Sequence, residues 1–173
     1  MLRQLPENEE IRILQVKYGF SPQDIKKFKE EGFTFRDMDK GGLYAYISDR
    51  PLEQVLRLRK YYPWMMIEKK LGLTPDIIHD RTLRYRAECA ERWWHMDAKK
   101  VYHLMDEGYP RHSIKLAWIL SLHSSMPVED ILKSKDRTIS WKAWADKNLG
   151  INPDDFTGWI QQYLNPSMPR KNP

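Results

Sequence analysis

The chain has almost no cysteine, no long apolar run and no hairpin-forming dipeptide. One Cys in 173 residues excludes an intramolecular disulfide framework and a Cys-rich zinc site. No apolar stretch approaches the roughly 20 residues of a membrane span. Met1 to Glu10 is polar and acidic where a signal peptide would be apolar, so a cytoplasmic location is expected and no membrane partner. Asn-Gly and Asp-Gly are absent and period-2 alternation is scarce, which disfavours a sheet fold. There is no Gly-rich phosphate loop, nucleophile elbow or carboxylate–histidine pattern, so neither an enzyme nor a small-molecule cofactor is expected. His79, His95, His103, His112 and His123 include no i, i+4 pair bracketing a carboxylate, so no metal site is expected. Cys89 lies between Glu88 and Glu91, acids that would raise its pKa, and reads as a small core residue.

What is present points to helices. The chain is 41% hydrophobic and 12% aromatic, with 7 Trp, enough to build a core. Leu83, Ala87, Ala90 and Trp94 fall on one helix face; Val101, Leu104 and Met105 repeat the spacing, as do Ile114, Ala117, Trp118 and Ser121. The expected fold class is all-α.

Three seams share one design: Gly19-Phe20-Ser21-Pro22, Gly72-Leu73-Thr74-Pro75 and Gly150-Ile151-Asn152-Pro153. Gly ends a helix because it tolerates the left-handed backbone conformation. The apolar residue enters the core. Ser, Thr or Asn caps the next helix, and Pro occupies its first position, where no N–H is needed. An acid follows (Asp24, Asp76, Asp154), placed where the helix dipole favours negative charge.

A longer repeat contains these seams. Glu31-Gly32-Phe33 matches Glu107-Gly108-Tyr109, and Pro51 to Leu56 matches Pro127 to Leu132, both at an offset of 76. Trp64 pairs with Trp141 at 77, and Leu71-Gly72 with Leu149-Gly150 at 78. Coincident matches at one offset point to duplication. Each copy reads as a helix, a Glu-Gly-aromatic turn, a helix, a Pro-started short helix and a Trp-led short helix. The expected organisation is a first repeat unit at 1–74, a connecting helix at 75–97, a second unit at 98–164 with a final helix from Pro153, and a flexible tail at 165–173. Asp97 is expected to cap the helix after the connector. Trp64, Trp118, Trp141, Trp144 and Trp159 occupy repeat positions expected to face the core.

The seams also match the apolar spacing of a DNA-binding helix-turn-helix. Around Gly19 the positions −5, −1, +1, +6 and +9 hold Leu14, Tyr18, Phe20, Ile25 and Phe28. Around Gly150 they hold Ala145, Leu149, Ile151, Phe156 and Trp159; around Gly72 the last is Arg81. The position four before each Gly, small in the binding motif, is Gln15, Glu68 or Asp146 here. On Glu31 to Phe33, Pro51 to Leu56, Trp64 to Leu73 and their second-copy counterparts, the unit resembles a helical repeat of bacterial proteins, chiefly from anaerobic Gram-positive species. That resemblance implies the fold and no particular activity.

Charge narrows the function. Residues 50–86 hold 9 basic and 4 acidic side chains, a net +5, while 1–49 and 87–173 are near neutral. Arg57, Arg59, Lys60, Arg81, Arg84 and Arg86, interleaved with Tyr61, Tyr62 and Tyr85, are the candidate nucleic-acid contacts, since cations neutralise phosphates and rings stack on bases. Acids at the starts of the seam helices work against phosphate there. The alternative reading is a protein-interaction or homodimer scaffold. It would use Trp93-Trp94 and Tyr85 on the long helix, because adjacent Trp residues point about 100° apart and cannot both sit centrally on one face. Both readings are of a non-enzymatic helical binding module.

Overall fold

The computed structural model describes residues 6–164. Among the described residues there are eleven helices and no strand, so the fold is all-α. They are α1 (Glu7–Tyr18), α2 (Pro22–Glu30), α3 (Phe35–Ser48), α4 (Leu52–Arg59), α5 (Trp64–Lys70), α6 (Pro75–Trp94), α7 (Ala98–Asp106), α8 (Arg111–Leu122), α9 (Val128–Ser134), α10 (Trp141–Leu149) and α11 (Pro153–Leu164). Residues 165–173, expected to be a tail, lie outside the described residues. The chain forms two compact units, Met1–Tyr85 and Arg86–Pro173, so the division falls inside α6 rather than at either of its ends.

The seams fold as local chemistry dictates. Gly19, Gly72 and Gly150 adopt φ of 72°, 68° and 65°, a region costly for any residue with a Cβ. Leu73 N–H closes the end of α5 on the Glu68 carbonyl at 2.8 Å, and Ile151 N–H does the same on Ala145 at 3.3 Å. The Ser21 hydroxyl accepts the Asp24 N–H at 3.0 Å while the Asp24 carboxylate accepts the Ser21 N–H at 3.3 Å, a reciprocal capping box. Thr74 accepts the Ile77 N–H at 3.3 Å and Asn152 the Asp154 N–H at 2.8 Å. Asp97 caps α7 through the Lys100 N–H at 2.8 Å. The two Glu-Gly-aromatic turns match in detail: Gly32 and Gly108 have φ of 90° and 91°, and Phe33 and Tyr109 each return an N–H to a helix carbonyl at 3.0 Å.

The helices of the two units follow one order and nearly one spacing. α2, α3 and α4 begin 76 positions before α7, α8 and α9; α5 begins 77 before α10, and α6 begins 78 before α11. In the first unit, Leu14, Ile25, Phe28, Phe33, Met38 and Leu56 form one buried cluster. Tyr44, Ile47, Val55, Ile67 and Leu73 form a second, covered by Ile77 and Ile78 of α6. In the second unit, α8 packs on α9 and α11, and α10 on α11, burying Ile114, Ala117, Leu120, Ile131, Ala145 and Phe156 completely.

The tryptophans differ from expectation. Of the five tryptophans expected in the core, only Trp144 is buried, 2% exposed, with its indole N–H donated to the Ser134 carbonyl at 3.2 Å. Trp64, Trp118, Trp141 and Trp159 are half-buried. A large ring with one polar N–H is seldom wholly enclosed, and these four lie at the rim. There they meet other rings: Trp64 sits edge-on to Tyr44 at 5.4 Å, and Trp159 stacks on His123 at 3.6 Å.

α3 approaches its neighbours through Gly41 and Gly42. A Cβ at Gly42 would fall 2.7 Å from the Tyr18 ring of α1, and the ring cannot swing aside as a flexible chain end could. Gly158 in α11 faces open space. Gly42→Ala is therefore expected to lower the free energy of unfolding by about 1–3 kcal/mol through overpacking. Gly158→Ala should raise it by about 0.5–1 kcal/mol by restricting the unfolded chain. Urea titration of the two variants checks both signs.

Candidate functional site

The basic-aromatic stretch from α4 through α6 separates into two kinds of side chain. Several of its cations are neutralised by the chain's own acids. Arg59, half-buried, donates Nε to the Asp37 carboxylate at 2.8 Å and lies 5.4 Å from the Trp64 ring centroid. Lys60 pairs with Glu31 at 2.7 Å. Arg84 grips Asp80, one helical turn back, through two bonds at 2.9 and 3.2 Å. Arg81 gives its guanidinium to the Ile47 carbonyl. Arg57 is exposed and only 3.9 Å from Glu53, a loose surface pair. Arg86 is exposed and belongs to the second unit.

Asp37 ties this side of the first unit together. Its carboxylate caps α3 by accepting the Thr34 N–H at 3.2 Å and the Thr34 hydroxyl at 2.6 Å, besides binding Arg59. Burial would raise its pKa, but the Thr34 and Arg59 hydrogen bonds together hold it below the ordinary 3.8.

The aromatic candidates are mostly enclosed. Tyr85 is 6% exposed; its hydroxyl donates to the Lys17 carbonyl at 2.8 Å, and its ring lies against Tyr18 and Tyr46. Trp94 is 7% exposed and Trp93, set edge-on to it, is half-buried. The Lys115 ammonium lies 4.1 Å from the centroid of the Trp94 ring, with the Arg111 guanidinium 5.8 Å from the same ring. Burial of its ammonium, and then the charge of Arg111, push Lys115 down to about 8.

What stays open is a short segment that the candidate residues only flank. Tyr61 is 76% exposed, Met65 63% and Met66 38%. Met65 and Lys69, and likewise Met66 and Lys70, are four apart on α5 and so share its outward side. Lys69 and Lys70 are exposed, with the Lys70 ammonium 4.3 Å from the centroid of the Tyr62 ring. The acids nearby are engaged: Glu53 binds Lys27 at 2.9 Å, and Glu68 accepts the Tyr44 hydroxyl and lies 3.5 Å from Lys40. The Glu68 bond and burial raise the Tyr44 phenol far above its usual value, burial being the larger cause. Lys69, Lys70 and the two methionines were not among the sequence candidates. The signal for them was a helix of seven residues with Met and Lys at i, i+4 and few core positions.

Two outcomes test these placements. Asp37→Ala is expected to cost about 1–2 kcal/mol of stability at neutral pH, through the lost cap and ion pair. Because the folded pKa is depressed, that contribution is full above 3.8 and disappears as the pH falls through the lower folded value. Denaturant titrations of wild type and variant should therefore converge in acid. Because burial and Arg111 lower Lys115 to about 8, brief acetic anhydride treatment at pH 8 should acetylate it ahead of exposed Lys142 and Lys147, read by peptide mass spectrometry. Equal labelling of the three would contradict the placement.

Among the described residues no helix is long and apolar enough to cross a membrane, and no group of three or more His, Cys, Asp or Glu side chains could hold a metal ion. No known protein family, curated protein or solved structure matches the chain.

Proposed function

We propose that the chain is a non-enzymatic binding module that holds single-stranded nucleic acid along the segment from Arg57 to Lys70. The observation that carries this reading is Tyr61, 76% exposed between a loosely held Arg57 and the free-standing side of α5 with Lys69 and Lys70. An exposed ring offers a face on which any base can stack, and cations on both sides neutralise the phosphates that follow. Met65 and Met66 add polarisable apolar surface that adapts to different bases.

A groove-reading helix fits less well. The helices after the seams begin with Asp24, Asp76, and Asp154 with Asp155, so the helix ends that would meet phosphate already carry negative charge. The scaffold reading has less behind it: of its three candidates Trp94 and Tyr85 are buried, and Trp93 is half-buried.

Fluorescence anisotropy with a labelled oligothymidylate tests the proposal. Three or four neutralised phosphates give a log–log salt slope of roughly −2 to −3, so affinity should fall by about tenfold or more between about 50 and 200 mM salt. Tyr61→Ala should cost about 1–3 kcal/mol of binding through lost stacking. Lys69→Glu/Lys70→Glu should abolish it, while Arg84→Glu, at a cation engaged by Asp80, should change it by less than about twofold. No signal change at low salt, or equal losses in Tyr61→Ala and Arg84→Glu, would overturn the reading.

A further inference from the structure

The second unit holds an open cavity of about 440 Å³, lined among others by Tyr109, Ser113, Lys135, Arg137, Ser140 and Trp141. That volume suits a small molecule. No carboxylate lines it. Its walls come from the start of α8, the segment following α9 and the start of α10, which stand 76, 76 and 77 positions beyond α3, α4 and α5.

At these offsets Lys135 stands where the first unit has Arg59, Trp141 where it has Trp64, and Ser113 where it has Asp37. The cation-over-indole contact is present in both: Arg59 lies 5.4 Å from the Trp64 centroid and Lys135 lies 5.2 Å from that of Trp141. The acid is present in one. In the first unit the Asp37 carboxylate, 16% exposed, neutralises Arg59 at 2.8 Å. In the second, a serine hydroxyl takes its place, and the Lys135 ammonium donates its hydrogen bonds to the carbonyls of Asp136 and Ile139, with the Asp136 carboxylate acting on it only through longer-range charge. The Asp136 carboxylate is turned to the Thr138 N–H and hydroxyl, at 2.8 and 2.7 Å. Arg137 brings a second positive charge to the lining, and His112 is also among the lining residues. The Ser140 oxygen accepts the Ala143 N–H at 3.2 Å, which leaves its own hydrogen to donate.

We infer that this cleft binds a small organic oxyanion, a carboxylate or phosphomonoester on a compact body, whose charged group fills the place Asp37 occupies in the first unit. Lys135 and Arg137 supply the opposite charge, and the Ser113 and Ser140 hydroxyls supply the hydrogen bonds that fix the oxyanion. Charge-assisted bonds of this kind are the strong ones. The Trp141 and Tyr109 rings contact the ligand body.

An NMR titration of the full ¹⁵N-labelled chain with benzoate, phenyl phosphate and uncharged benzyl alcohol tests the inference. Saturable shifts at the amides of Ser113, Lys135 and Ser140 are expected with at least one anion and none with the alcohol. Tighter binding of benzoate identifies a carboxylate ligand, and tighter binding of phenyl phosphate a phosphomonoester. Ser113→Asp restores the internal acid and should weaken binding at least about tenfold, whereas Ser113→Ala should weaken it only a few-fold. Arg137→Gln, at an exposed position where folding is not at stake, should weaken it about fivefold or more. Non-saturating shifts spread over exposed Lys142 and Lys147, or unchanged binding in Arg137→Gln, would overturn the inference.

Discussion

The path of the chain depends on one backbone constraint: helices must end within a residue or two and restart in a new direction. Five glycines with positive φ, at 19, 32, 72, 108 and 150, make this possible. Each places the next apolar residue back against the helix just completed. Phe33, Leu73 and Ile151, buried at these points, hold the turn shut. The side-chain cap and proline that follow three of these glycines start the next helix without orphaned donors. Short helices such as α5 and α9, with seven residues each, would not persist in water alone. They exist because the corners deliver their apolar faces to a shared core.

The same corners govern where the molecule can meet a polyanion. Asp24 and Asp37 complete capping boxes, while Asp76 and Asp154 sit in the first turns of α6 and α11 where the helix dipole favours them, and all occupy places where phosphate would otherwise bind. The surface cations are divided likewise. Arg59, Lys60 and Arg84 are held by Asp37, Glu31 and Asp80 and serve to fasten helices or cover their sides. The more exposed of these, Lys60–Glu31 and Arg84–Asp80, contribute little stability each, about 0–1 kcal/mol. Their larger effect is to remove charge from the surface, while Lys69 and Lys70 on α5 and Arg137 at the second-unit cleft stay exposed.

Much of the fold was legible because its signals are local. Gly, cap, Pro and acid lie within six residues of one another, and each works through bonds of fixed geometry. The candidate site was less legible. Arg59 and Asp37 are 22 positions apart and Lys60 and Glu31 are 29 apart, so no spacing rule joins them. The Arg84–Asp80 pair was visible, since acid and base four apart on a helix meet. Tyr85 reads as surface beside three arginines, yet it is buried because α1 and α3 bring Tyr18 and Tyr46 against it. The tryptophans show the limit of periodicity: it finds the side a ring occupies but not how deep it lies. The cleft in the second unit has no local signal: its lining comes from α8, α10 and the segment after α9, and only the offset of 76 sets Ser113 against Asp37.

In the proposed function the corners are structural, and nucleic acid contacts the segment between two of them, residues 57–70. The most direct measurement is a two-dimensional NMR map of the full chain titrated with oligothymidylate at low salt. The account predicts shifts concentrated at residues 57–70, strongest at Tyr61, Met65 and Lys69, with the first turns of α2, α6 and α11 undisturbed. Shifts centred on those helix starts, or none at saturating oligonucleotide, would contradict it.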